Sequence, residues 1–246
     1  MIDLNEVAKT YRTGLPGRGR LVHALDRVTL RVESGTALGI VGLNGAGKST
    51  LLRIILGYIR PTSGEALIAS MAPRSYVERN GVAYVPERVT IPRSWTVLGA
   101  LRAYAMLGEI QDDSWHRVDA AMHRLGLEQL ADRKIAHLSK GNVQRVGIAQ
   151  AILTERKLMV LDEPTESLDP VWIVETREIL EEWLAGDPER VLVIASHNLP
   201  EVERVTNRVV LLHNGRIVGE LPSGGPPGSL ENNFLAKLRQ LEEARS

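Results

Sequence analysis

The segment Gly42-Leu43-Asn44-Gly45-Ala46-Gly47-Lys48-Ser49 constrains this chain more than any other. It fits G-x-x-x-x-G-K-[ST] at every fixed position. A short apolar run, Ala37 to Val41, precedes it, and Lys48 to Ile59 follows with helical spacing that stops before Pro61. Glycines in such a loop let backbone N–H groups turn inward around an anion. The helix behind it adds its positive dipole end. Lys48 supplies a point charge towards the β- and γ-phosphates of a nucleotide, and the Ser49 hydroxyl can ligate Mg²⁺. At average glycine usage of ~7%, a chance match in a chain this long is on the order of one per cent. The competing reading is a merely glycine-rich turn.

Such a loop needs a carboxylate on a neighbouring strand for the metal. Leu158-Met159-Val160-Leu161-Asp162-Glu163 offers one at the end of an apolar run, the edge where open α/β sheets place ligands. Asp162 would hold Mg²⁺, and Glu163 could polarise the attacking water. Alone, the pair is equally readable as a plain strand end. His197 also follows an apolar strand, Val191 to Ala195. It could donate to the γ-phosphate or be a surface or capping residue. These residues together indicate a Mg²⁺-dependent nucleoside-triphosphatase.

Composition narrows the field. None of the 246 residues is cysteine, which rules out disulfides, thiolate zinc sites, chain-held iron–sulfur clusters and a cysteine nucleophile. Thirty basic and thirty acidic residues cancel, and only 4% are aromatic. Neither fits a protein that coats DNA or stacks on single strands, so no nucleic-acid partner is expected. The N-terminus lacks the pattern of a secretory signal, and no run approaches a membrane span. A cytosolic chain is expected, reaching any membrane through a partner.

The remaining texture predicts an α/β fold. Ile2, Leu4 and Val7, then Val28, Leu30 and Val32, alternate as strands of an N-terminal antiparallel β part. They flank a loop, Arg12 to Arg20. Further strands are expected near Ala66 to Ile68, Val82 to Val85, Leu158 to Leu161, Val191 to Ala195 and Val209 to Leu212, with helices at Val171 to Leu184 and Leu199 to Val205. Apolar strands alternating with helices predict a mostly parallel sheet covered on both faces. A helical subdomain, about 90–155, is inserted in a main domain spanning 1–221. Residues 222–246 read as a linker, Pro222 to Gly228, and a helix with Phe234, Leu238 and Leu241 on one stripe. That helix either docks on its own domain or meets a partner.

Leu138-Ser139-Lys140-Gly141-Asn142-Val143-Gln144-Arg145 resembles the LSGGQ signature of ABC ATPases. Over about residues 1–220 the other family marks follow in order. Tyr11 matches the aromatic that stacks on adenine, Glu87 the Q-loop position, Ser167-Leu168-Asp169 the D-loop, and His197 the H-loop. The resemblance implies a P-loop (RecA-like) core that binds ATP through Tyr11 and Gly42 to Thr50. Mg²⁺ would lie at Ser49, Asp162 and Glu87, with Lys48, Glu163 and His197 in catalysis. It also implies a second cassette, identical or not, whose ATP meets Ser139, Lys140, Gly141 and Asn142, with Asp169 nearby. A separate membrane permease would dock near Glu87 and the segment Arg88 to Thr96, holding the chain at the cytoplasmic face of the cell membrane.

Three positions depart from the family pattern. Lys140 replaces a glycine, Asn142 the signature glutamine, and Glu87 the Q-loop glutamine. Similar substitutions are familiar in ABC-2-type exporter cassettes, so an exporter subunit is expected. The alternative is a soluble, non-transport cassette, for example of the iron–sulfur assembly type. A purely regulatory module is disfavoured by Glu163 and His197.

Overall fold

The computed structural model describes residues 1–13, 20–108, 114–222 and 225–243. The chain divides into two compact units, Met1–Asn80 with Val191–Ser246, and Gly81–Arg190.

In the first unit, β1 (Ile2–Thr13) lies between β2 (Arg20–Val32) and β4 (Ser63–Ile68), antiparallel to both. Ile2, Leu4 and Val7 stand opposite Val32, Leu30 and Val28, and all six are buried. The step from Leu4 to Val7 breaks strict alternation. A bulge absorbs it, with Glu6 in the left-handed region at φ 50. Of the expected loop from Arg12 to Arg20, Arg12, Thr13 and Arg20 belong to the strands. Its centre lies outside the described residues.

The same unit holds a second sheet. β7 (Val191–Ser196) and β8 (Arg208–His213) flank β3 (Ala37–Val41) in parallel, and β9 (Arg216–Leu221) returns antiparallel along β8. Every residue of β3 and β7 is buried, as expected of strands covered on both faces. β9 has no counterpart in the sequence reading.

Among its described residues this unit has four helices: α1 (Lys48–Ile55), α2 (Pro73–Asn80), α7 (Leu199–Val205) and α8 (Ser229–Glu243). The expected helix from Lys48 to Ile59 stops at Ile55. Gly57, at φ 69, turns the chain so that its N–H returns to Ile54 and that of Tyr58 to Arg53. This left-handed glycine cap satisfies the last carbonyls four residues before the sequence pattern ends. α8 buries Leu230 and Phe234 in a cluster with Val41, Leu199, Val202, Val209, Leu211 and Leu221, and Leu238 packs beside it.

The second unit pairs β5 (Ala83–Val85) with β6 (Leu158–Asp162) in parallel. It also contains α3 (Val97–Leu107), α4 (Ser114–Arg124), α5 (Lys140–Leu153) and α6 (Pro170–Ala185). The helices α3, α4 and α5 pack on one another. Thr96 caps α3 by accepting from the Gly99 N–H at 3.0 Å.

Candidate functional site

The loop after β3 is shaped by glycines at positions that exclude side chains. Gly45 and Gly47 have φ of 79 and 111. A Cβ on Gly47 would lie 2.5 Å from the Ala24 carbonyl oxygen, and one on Gly42 only 2.2 Å from that of Leu212. A Cβ on Gly45 would meet no described atom within 4 Å, so there the left-handed backbone alone calls for glycine. Lys48, at the start of α1, is 8% exposed, and its Nζ donates to the Gly42 carbonyl at 2.8 Å. A buried ammonium held across the mouth of a backbone cradle is suited to a phosphate chain. Ser49 and Thr50 follow on the first turn, both partly exposed.

Strand β2 and a turn brace this loop. Tyr11 of β1 stands opposite Val22 of β2, two residues before the Ala24 that closes on Gly47. Lys9 Nζ lies 5.5 Å from the Tyr11 ring centre. From the other side, Asn214 and Gly215 form the turn between β8 and β9, both with positive φ. The Gly215 N–H donates to Ala46 at 2.9 Å, and its carbonyl accepts from Asp26. Arg216 hydrogen-bonds Asp26 and holds that carboxyl below its usual pKa. The Asn-Gly pair is a turn signal that the sequence reading passed over.

His197 follows β7 and is exposed. Ser196 before it is buried, and its Oγ accepts from the Asn198 N–H at 3.0 Å. The backbone on both sides of the histidine is thus fixed.

In the second unit, Asp162 ends β6 and Glu163 follows it, both buried. Glu163 takes φ 48, rare for a residue with a side chain. Strained backbone of this kind persists where its surroundings over-determine it, commonly at functional positions.

The signature segment opens α5. Ser139 is its N-cap, with Oγ accepting from the Asn142 N–H at 3.2 Å. That hydroxyl keeps its own proton to donate. Gly141 is required by a close approach, since a Cβ there would lie 2.7 Å from the Ser167 carbonyl oxygen. Asp169 caps α6, accepting from the N–H groups of Val171 and Trp172 at 3.1 Å. Signature and D-loop are therefore packed backbone against backbone. Glu87 and Lys140 share the lining of a cleft of about 470 Å³ with Gln144, Glu166 and Ser167.

Two residues of this segment have duties that sequence reasoning missed. Buried Gln144 donates to the Pro164 carbonyl at 3.0 Å, joining α5 to the turn after Glu163. Arg145, 8% exposed, donates to the carbonyls of Leu125 and Gly126 and to Asn142 Oδ1 at 2.5 Å. Its guanidinium lies 4.1 Å from the Trp172 ring centre. Burial pulls its pKa below the usual arginine value, and the Asp169 charge opposes that shift. Helical periodicity gives no hint of a buried arginine, because its partners are distant carbonyls.

The Ser49 hydroxyl and Asp162 carboxylate are hard oxygen donors of the kind Mg²⁺ takes. Among the described residues no group of three or more His, Asp or Glu could hold a metal by itself. No described helix is long and apolar enough to cross a membrane.

Of the residues expected from the sequence to act on nucleotide, some lie in each unit. Tyr11, Gly42 to Thr50 and His197 belong to the first, and Glu87, Ser139 to Asn142, Asp162, Glu163 and Asp169 to the second.

The chain is 32% identical over 227 residues to a methionine import ATP-binding protein, MetN 2 of Bacillus cereus, covering 89% of this chain and 66% of that protein. It thus spans just under two thirds of the length of that relative. It is 29% identical over 252 residues to the phosphonates import ATP-binding protein PhnC of Treponema denticola, covering 96% and 94%. Among solved structures, it is similar to the ATP-binding cassette MJ0796, a dimer in a post-hydrolysis state bound to ADP and Pi. The TM-score is 0.82 at 25% identity, over 92% of this chain and 100% of that one. The named directions here are import, so the expectation of export gains no support from these relatives. The family model described as ABC transporter matches residues 25–166, more than half of the chain. With a P-loop ATPase fold as well, this chain belongs to the ABC transporter family as an ATP-binding cassette.

Proposed function

We propose that the chain binds ATP at the Gly42–Thr50 loop, hydrolyses it, and drives transport through a separate membrane permease. The observation that carries this reading is the cradle itself, with left-handed Gly45 and Gly47 and a buried Lys48 aimed across it. Lys48 exchanges its Gly42 carbonyl for phosphate oxygens, and Tyr11 offers its ring to the base. Bound Mg²⁺, held by Ser49, Asp162 and the Glu87 position, would neutralise developing phosphate charge. Glu163 orients and deprotonates the attacking water, and His197 donates to the γ-phosphate.

A second cassette completes the reaction by presenting its Ser139 and Gly141 N–H to the nucleotide bound here. ATP then holds the pair together, and its cleavage lets them part, which gives the permease a two-state input. The dimeric state of the solved relative supports this reading. On it, the chain works at the cytoplasmic face of the membrane, attached through the permease. Affinity purification from detergent-solubilised membranes tests it. A co-purifying polytopic membrane protein that stimulates ATP turnover is expected. A partner without membrane spans would replace transport with a soluble function. Substrate flux in right-side-out and inverted vesicles then decides between import and export.

A further inference from the structure

α7 is the helix that carries the chain away from His197, and it has only seven residues, Leu199–Val205. Its N-cap, Asn198, makes no side-chain cap bond. A helix this short does not hold itself together in water and takes its geometry from what it packs against. One support is β3. A Cβ on Gly39 would lie 2.5 Å from Val202 and 3.2 Å from Thr206 Oγ1, so α7 sits directly on the strand leading into the phosphate loop. The other support is α8.

Two contacts join α8 to α7. Leu230 and Phe234 are buried in one cluster with Leu199, Val202 and Val41, the last residue before Gly42. Glu203 of α7 meanwhile reaches the first turn of α8 with both carboxylate oxygens. Oε2 accepts from the Gly228 N–H at 2.8 Å, and Oε1 from Ser229 Oγ at 2.6 Å and the Leu230 N–H at 2.7 Å. These are donors a helix leaves unpaired at its start, and here another helix caps them with a full negative charge. Such a carboxylate fixes the angle as well as the contact between the two helices.

We infer that α8 is a positioning element for hydrolysis, with Glu203 and Phe234 holding α7 so that His197 stays aligned with the phosphate loop. The inference rests on the role proposed above for His197 and adds a requirement to it. Glu203 spends its carboxylate on Gly228, Ser229 and Leu230 and acts as a positioning residue through α7. Releasing α8 should therefore slow the chemical step while leaving the loop able to bind ATP.

The test is steady-state ATP hydrolysis by the full chain in two backgrounds. With His197 present, Glu203→Ala and Phe234→Ala each lower kcat about 5-fold and leave the KM for ATP within about 2-fold. Phe234→Leu, which refills the cluster, restores most of the rate. Glu203→Gln keeps one acceptor and the side chain's shape, so it serves as the variant that folds, with an intermediate loss of about 2-fold. In the His197→Ala background none of these changes lowers kcat further. If His197→Ala alone hydrolyses at the wild-type rate, the role of His197 fails and this inference with it. If His197→Ala is slow but the α8 variants are at the wild-type rate, or lose the same factor in both backgrounds, the positioning inference alone is overturned.

Discussion

The Gly215 N–H donates to the Ala46 carbonyl at 2.9 Å, so a hairpin turn 169 positions away in sequence braces the phosphate loop from behind. Gly215 has φ 76, and a Cβ there would meet the Ala24 carbonyl oxygen at 2.9 Å. Gly215→Ala is expected to destabilise the protein by about 1–2 kcal/mol from the left-handed backbone alone. ATP affinity should fall with it, because the loop loses its backing. Urea unfolding and ATP titration of the variant check both effects, and wild-type values in each would remove the brace from the account.

Arg145 joins the signature segment to its own unit. Arg145→Lys keeps the charge but cannot donate to Leu125 and Asn142 together or stack flat on Trp172. The buried Leu125 carbonyl then goes without a good donor, at a cost of about 1–3 kcal/mol. Chemical denaturation followed by tryptophan fluorescence should show that loss. ATP turnover should fall while nucleotide binding by the isolated chain is unchanged.

Thr176 is fully buried on α6, and its hydroxyl finds no hydrogen-bond partner among the described residues. Thr176→Val replaces an unsatisfied polar atom with a methyl of similar size. It should stabilise the protein by up to about 1 kcal/mol, with ATP turnover unaltered. A lower melting temperature would mean that the hydroxyl has an important partner.

Glu203 makes the docking of α8 dependent on acid. The hydrogen bond from Ser229, then that from the Leu230 N–H, lowers its pKa below the usual 4.5. A depressed carboxyl contributes stability that is fully present above the unfolded value and lost as pH falls through the folded one. Hydrogen exchange in α8 should therefore be slower in the wild type than in Glu203→Gln at neutral pH. The gap should close only below about pH 4.5. An equal gap at every pH would show that the charge is not what latches the helix.

How much of this was legible in the sequence depends on how local each cause is. The strand, loop and helix from Ala37 to Ile55 were legible because the cradle needs glycine at fixed positions and the flanks are apolar. The end of α1 was misjudged because one left-handed glycine, Gly57, ends a helix whose apolar spacing continues. β9 was missed although Asn214-Gly215 signals its turn, since its residues are only partly buried and lack clean alternation. The stripe of Phe234 and Leu238 was visible, whereas Leu230 and the cap from Glu203 were not. Those depend on helices brought together by the fold. Arg145 was hidden for the same reason.

The central claim, that this cassette hydrolyses ATP with Glu163 activating the water, is tested most directly by Glu163→Gln. Glutamine keeps the shape of a side chain held at φ 48 after β6 and removes its ability to take a proton. ATP binding and ATP-dependent dimerisation should persist, while turnover falls by about 100-fold or more, the scale of losing a positioned general base. Undiminished turnover in that variant would contradict the account.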